Sequence, residues 1–348
     1  MMRKPKVSIC VPTYNRSKHL RRTIESVLSQ TFQNLELIIC DDASIDDTEA
    51  VVHSYSDPRI LYHRNERNLG LYENWHIGLN LVSGEYIAIY HDHDLYLPTI
   101  VEQSVNMLDT YPSASFVHTA LYMIDENDQS VALDVRPFKE LTSGWRLRDS
   151  LARSWNSPVM APTAMVRRQA YERVGSRYEH QRYGQDCDLN MWFRLTEVGD
   201  VAYISTPQVY IRTRIKGQTT AQFRWSDVVG DLRMREDHIQ AAWGNHPIKY
   251  ALSKCEYALA RDIRLSILFC RALLKEGSSV IVEGRYIVSN ECTPVIKSLL
   301  LTIASSKVLQ KIMENTLLPL HYWRVKRRQA KQRAQAEPFR AMTSSIYE

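Results

Sequence analysis

The sequence predicts an α/β protein with a mostly parallel, doubly wound sheet, followed by a helical C-terminal region. Three observations predict it. Short β-prone runs alternate with stretches of helical spacing from Val7 to Tyr90. These runs are apolar throughout instead of alternating, as expected of strands covered on both faces. Beyond Trp225 the pattern becomes almost wholly helical.

The first unit is strand, loop and helix. Val7 to Val11 runs into Pro12, and Ser17 opens a segment with Leu20, Ile24, Val27 and Leu28 at helical spacing. Leu35 to Cys40 is the second strand, and DDASIDD is the loop after it, where Asp46 or Asp47 caps the next helix. Strand Ile60 to His63 precedes a helix with Leu71, Trp75, Leu79 and Val82 on one face. Tyr86 to Tyr90 is another strand and ends in the cluster HDHD. Residues 113–224 read as the second half of the same domain. They hold β-like pieces at Phe116 to Thr119 and Val201 to Val209 and a helix from about Asp188 to Val198. A boundary near 224 separates a domain 1–224, with halves 1–112 and 113–224, from an extension 225–348. The extension has amphipathic stretches at Trp225 to Trp243, Ile248 to Lys275 and Pro294 to Arg333.

Ligands of such sheets bind beyond the carboxyl ends of the strands. Those ends carry Pro12 to Asn15, Asp41 with Asp42, and His91 to Asp94, so three polar clusters distant in sequence converge on one crevice.

A chain of 348 residues with 44% hydrophobic and 24% charged residues buries a sufficient core without disulfides or structural metal. Its six cysteines form no C-x-x-C pair and read as buried thiols of a reducing compartment. The basic start MMRKPK precedes an apolar stretch too short for a signal peptide, which points to the cytoplasm. No run approaches the ~20 apolar residues that cross a bilayer. Net charge is only +5, yet Arg324 to Arg333 holds six basic residues and no acid. That run is either a solvated helix end or a peripheral contact with the anionic inner face of the cell membrane. Nucleic acid is not an expected partner, because no binding motif accompanies the run.

The strings VSICVPTYNR, SVLSQTF, ELIICDDASIDDT, RNLGLYENWHIGLNLVSGEYIAIYHDHDLYLP and GQDCDLNMWFRL resemble, in order and spacing, the family-2 glycosyltransferases. The resemblance covers about residues 5–220 and implies a GT-A (Rossmann-like) fold and inverting transfer from a nucleotide sugar, a UDP-sugar above others. It assigns Pro12, Tyr14 and Asp42 to the nucleotide, with Asn15 and Asn68 in the same loops. The chemistry agrees, since an aromatic ring packs on a base and a carboxylate accepts from a base N–H or ribose hydroxyl. Pro12, Asn15 and Asp41 also suit plain turn formation.

His91-Asp92-His93-Asp94 falls where the family binds a divalent metal ion, Mn2+ or Mg2+, that neutralises charge on the leaving diphosphate. The commonest family pattern, Asp-x-Asp-Asp, would put acids at positions 91, 93 and 94. Two registers stay open: Asp92 and Asp94 form the pair with His93 close by, or His93 is itself a ligand and favours manganese. The general base implied is Asp186, preceded by Gln185 where relatives carry an acid, with helix capping as its other reading. Arg212 and Arg214 match the late loop that reaches the diphosphate, or else pair with surface acids. Trp145 and Trp155 fall on the acceptor side, as sugar-stacking rings or as core anchors. The expected acceptor is a saccharide or lipid-linked hydroxyl of bacterial surface-polysaccharide assembly. Against it stand a catalytically degenerate binding scaffold, a nucleotidyltransferase, which needs a Gly-rich loop absent from VPTYNRSKH, and a dinucleotide oxidoreductase, for which no G-x-G-x-x-G follows a strand.

Overall fold

The computed structural model describes residues 4–136, 138–153, 157–213, 225–245, 247–275, 288, 290 and 292–305. The strands are β1 (Val7–Thr13), β2 (Leu35–Asp41), β3 (Ile60–Arg64), β4 (Tyr86–Ile89), β5 (Leu95–Tyr96), β6 (Ala114–Ile124), β7 (Ser130–Asp134), β8 (Leu141–Thr142), β9 (Ala164–Arg167) and β10 (Asp200–Arg212). They form one sheet in the order β3-β2-β1-β4-β9-β6-β10-β5, with β7 on β6 and β8 on β10. Neighbours β3, β2, β1 and β4 are parallel, as are β6 and β10, while β9 runs antiparallel between β4 and β6.

Helices cover both faces, which is why β1 is buried at every position. Val7, Ile9 and Val11 pack with Leu20, Ile24 and Val27 of α1 (Ser17–Leu28) and with Val101 and Val105 of α4 (Ile100–Thr110). On the other face α3 (Leu71–Leu81) approaches so closely that a Cβ at Gly78 would lie 2.1 Å from Cys10 Sγ. The N-cap position of α2 (Thr48–His53) is Asp47, which makes no side-chain cap bond, while Asp46 before it accepts from the Thr48 amide through Oδ1 at 3.1 Å and from Ser17 N at the start of α1 through Oδ2.

The second half adds α5 (Gly144–Arg153), α6 (Arg168–Val174), α7 (His180–Tyr183) and α8 (Cys187–Val198). Two long helices follow, α9 (Trp225–Trp243) and α10 (Pro247–Lys275), and then the helix Pro294–Ser305; the remainder of the expected Pro294 to Arg333 stretch and the basic run lie outside the described residues. These helices are not detached from the sheet unit. Met234 of α9 is buried in the core that holds Trp75, Tyr183 and Trp192. Gly230 lets α9 lie on α7, since a Cβ there would stand 2.7 Å from Tyr183 O. Of the cysteines described, Cys10, Cys40, Cys187 and Cys292 are buried as expected, but Cys255 is exposed on α10. Among the described residues no helix is long and apolar enough to cross a membrane.

Candidate active site

Parallel pairing puts the ends of β1, β2 and β4 side by side, and their loops are tied together. Asp42 N donates to Thr13 O at 2.9 Å, Asn15 N to Ser44 Oγ at 2.9 Å, and Ile45 N to Asn15 Oδ1 at 2.7 Å. Asn15 and Ala43 both take positive φ, 52° and 61°. Asparagine tolerates that conformation and alanine does so at a cost, a pattern frequent at functional loops. Pro12 is buried within β1, whereas Tyr14 is 42% exposed at the rim.

The two carboxylates after β2 are occupied differently. Asp41 accepts from Tyr62 Oη at 2.7 Å, Arg64 Nη1 at 2.8 Å and Ser44 N at 2.9 Å. Asp42, also buried, accepts from Asn65 Nδ2 at 2.9 Å and from the amides of Leu69 and Gly70, each at 2.8 Å. Gly70, at φ 87°, also donates to Asn68 Oδ1. Asp42 and Asn68 therefore hold the loop 65–70 against the crevice. The sequence reading passed over Asn65, which bonds both Asp42 and Asn74.

The cluster after β4 splits in two. Asp92 turns back toward the first loop: Oδ2 accepts from Thr13 Oγ1 at 2.8 Å, and Oδ1 lies 3.7 Å from Arg16 Nε and 2.8 Å from His93 Nδ1. Asp94 is fully buried; its Oδ1 accepts from Arg212 N at 2.8 Å. Its Oδ2 accepts no hydrogen bond and sits 3.4 Å from His91 Nδ1. Donor atoms of His91, His93 and Asp94 all lie within 4.8 Å of one another, the one such group among the described residues. The set differs from the favoured Asp92 and Asp94 pair: it includes His91 and leaves out Asp92, whose two oxygens are engaged by Thr13 Oγ1, Arg16 Nε and His93 Nδ1. Its positions are the three that Asp-x-Asp-Asp occupies. Two imidazoles and a carboxylate oxygen with an unused lone pair fit a divalent transition metal.

The segment carrying Asp186 meets this cluster through aromatic side chains of α3. Trp75 lies against the His91 ring, with centroids 6.0 Å apart, and Tyr72 donates to Gln185 O at 3.1 Å while stacking on His180. Asp186 ends a short 3-10 turn, Gly184–Asp186, half-buried at the start of α8, and makes no side-chain cap bond to that helix. Gly184 there adopts φ 64°. Two residues on, burial pushes the Asp188 carboxyl up to about 6, against a hydrogen bond from the Leu189 amide and the pull of the His91 ring. The sequence pattern places Asp188 only at the start of the helix that runs to Val198.

Two of the remaining candidates, Arg212 and Trp145, take other places. The Arg212 guanidinium is buried, donating to His93 O at 3.1 Å and Asp125 O at 2.8 Å and pairing with Asp128. It braces the metal-type cluster from behind. Trp145 is 54% exposed on α5, whose Gly144 packs on Thr196 and Gly199 at the far end of α8. Nine residues of helix, roughly 14 Å, separate that end from Cys187 beside Asp186. Trp155 and Arg214 lie outside the described residues. A cavity of about 750 Å³ opens at the opposite end of the sheet between Lys6, Glu85 and Arg167; Lys6 there is paired with Glu85 and Asp109, and Arg167 donates to the carbonyls of Ala114 and Leu108.

Residues 8–175 match the family model described as glycosyl transferase family 2. The chain is 31% identical over 202 residues to the putative glycosyltransferase EpsE of Bacillus subtilis, covering 57% of this chain and 69% of EpsE. It is 35% identical over 104 residues to the UDP-Glc:alpha-D-GlcNAc-diphosphoundecaprenol beta-1,3-glucosyltransferase WfaP of Escherichia coli, 30% of this chain and 41% of WfaP. It spans 66% of the length of two uncharacterized Rickettsia glycosyltransferases that it also matches. The crystal structure of S. aureus TarS 1-349 in complex with UDP-GlcNAc shares the fold, with a TM-score of 0.64 at 18% identity, covering 87% of this chain and 88% of that one.

Proposed function

From the premise that this chain belongs to glycosyl transferase family 2, we propose that it is an inverting enzyme that moves a sugar from a UDP-sugar to a hydroxyl of a saccharide or lipid-linked acceptor. One observation supports the reading: the ends of β1, β2 and β4 lie side by side, and the His91, His93, Asp94 group after β4 is joined to the Asp186 segment through Trp75 and Tyr72 of α3. The UDP-sugar is supported by the ligand named for TarS and the donor named for WfaP; the lipid-linked acceptor is supported by WfaP.

In this mechanism Tyr14, exposed at the rim, packs on the base. Asp42 acts by holding the 65–70 loop as a wall of the nucleotide site. His91, His93 and Asp94 would hold a divalent ion, manganese in preference to magnesium, and such an ion neutralises charge on the departing diphosphate. Asp186 takes the acceptor hydroxyl proton as the oxygen attacks the anomeric carbon. The new C–O bond forms on the face opposite the breaking bond to the nucleoside diphosphate, which leaves with that bond's electron pair. Residues 1–224 are the catalytic unit in this scheme, working at the cytoplasmic face of the membrane in surface-polysaccharide synthesis.

The first experiment is thermal stabilisation by nucleoside diphosphates and their sugars, with and without Mn2+, because a ligand of the native state raises the melting temperature. UDP-selective, manganese-dependent stabilisation is expected. No shift with any nucleotide in folded protein would overturn the donor site and favour a non-catalytic scaffold. Asp186→Asn should abolish transfer, by about 10²-fold or more, and spare UDP binding; retained turnover would remove Asp186 from the role.

A further inference from the structure

The turn between β6 and β7 closes without its Asp128 side chain. Asp125 N donates to Gln129 O at 3.0 Å, and the Asp125 carboxylate accepts from the amides of Asn127 and Gln129, each at 2.9 Å. Asp128 itself stands at φ 61°, a conformation that glycine takes freely and aspartate at a cost. The carboxylate held at this position serves other elements.

Its two oxygens join parts of the chain that are distant in sequence. Oδ2 pairs with Arg22 Nη1 on α1, and Oδ1 with Arg212 Nη2 at the end of β10. Burial pushes the Asp128 carboxyl up, but hydrogen bonds from Arg22 and Arg212 outweigh it and hold the group below the usual carboxylate range. The Arg212 side chain is 1% exposed, with Nε on His93 O and Nη1 on Asp125 O. A planar guanidinium whose successive nitrogens all meet acceptors is fixed in orientation as well as in place. Arg212 N also donates to Asp94 Oδ1 at 2.8 Å, and Thr23 Oγ1, one residue after Arg22, donates to Asp94 O at 2.9 Å. A closed ring thus runs from Asp128 through Arg212 to Asp94 and back through α1.

We propose that Asp128 is a positioning residue for the metal-type cluster: by holding Arg22 and Arg212 together, it fixes His93 and Asp94 at the spacing that binds a divalent ion. Both of its oxygens are taken by arginines, so it acts through them and not as a ligand. The inference rests on the reading of His91, His93 and Asp94 as the ligands of that ion. Groups that orient metal ligands from behind are commonly worth about 10- to 100-fold in metal affinity. That gain explains why a carboxylate stands where glycine would form the turn more easily.

The test is titration of the full chain with Mn2+, alone and with UDP, counting the free ion by its electron paramagnetic resonance signal. Two variants keep the turn. Asp128→Asn tolerates positive φ and removes the charge, while Asp128→Gly relieves the backbone and removes the side chain. Both should raise the Mn2+ dissociation constant about tenfold, with the melting temperature of the metal-free protein close to that of the wild type. Equal Mn2+ affinity in wild type and both variants would overturn the proposal and leave Asp128 as a surface ion pair. A melting temperature that falls in step with affinity in both variants would overturn it in favour of a general role in stability. No Mn2+ uptake by the wild type, with or without UDP, would overturn it together with the metal reading, a result distinct from the other two.

Discussion

His91 and His93 stand at two of the three positions where the commonest family pattern has carboxylates, and their rings lie 5.4 Å apart beside the unused oxygen of Asp94. Imidazole nitrogen is a softer donor than carboxylate oxygen, so the native site should favour Mn2+ over Mg2+. Replacing both, His91→Asp with His93→Asp, should lower the Mn2+ to Mg2+ activation ratio about tenfold, read from initial rates in each metal; an unchanged ratio would mean these rings do not select the ion. Asp188 offers a second test in metal-free protein. Its folded-state carboxyl titrates near 6 against 3.8 when unperturbed. The folded state therefore keeps the proton between those values, and stability falls as pH rises through about 4 to 6. Asp188→Asn should remove that fall, so melting curves of variant and wild type should diverge in the variant's favour from pH 4 to pH 7.

At the scale of elements, two glycines set how closely helices approach. Gly78 brings α3 onto β1, and Gly78→Ala would thrust a methyl into Cys10 Sγ. The expected destabilisation is about 1–3 kcal/mol, partly relieved by Cys10→Ala in the same chain, as denaturant unfolding would show. Gly230 does the same between α9 and α7, next to the turn that carries Asp186. Gly230→Val should displace that turn and lower kcat by about 10- to 100-fold with UDP affinity little changed. If UDP affinity and kcat fall together, α9 supports the whole fold and not the Asp186 turn in particular.

The whole molecule joins its helical C-terminal part to the sheet unit through a shared core. Because Met234 is buried with Trp75, Tyr183 and Trp192, a chain ending at residue 224 loses part of that core and exposes what remains. Such a truncation should lower the melting temperature or yield insoluble protein, and Met234→Ala in the full chain should lose about 2–4 kcal/mol. A 1–224 chain as stable as the full protein would show instead that α9 is an accessory.

The α/β class, the strands of the first half and the gathering of polar loops at the ends of β1, β2 and β4 were legible from the amino-acid sequence. Apolar runs such as VSICV and LELIIC, broken by DDASIDD and HDHD, encode a sheet covered on both faces with polar loops at one end. That information is local and periodic. Tertiary structure alone decided which side chains meet. Spacing in HDHD names four donors, but the turn after β4 sends Asp92 to Thr13 and Arg16 and gathers His91 with His93 and Asp94. Arg212 reads in YIRTR as a residue of the diphosphate loop or a partner of surface acids, and β10 delivers it, buried, between His93 O and Asp125 O and onto Asp128. Trp145 is carried to the far end of α8 by contacts of Gly144 that no local pattern encodes. A residue's type and period fix the face of its own element, while its direction at a loop and its burial depend on elements brought in from elsewhere in the chain.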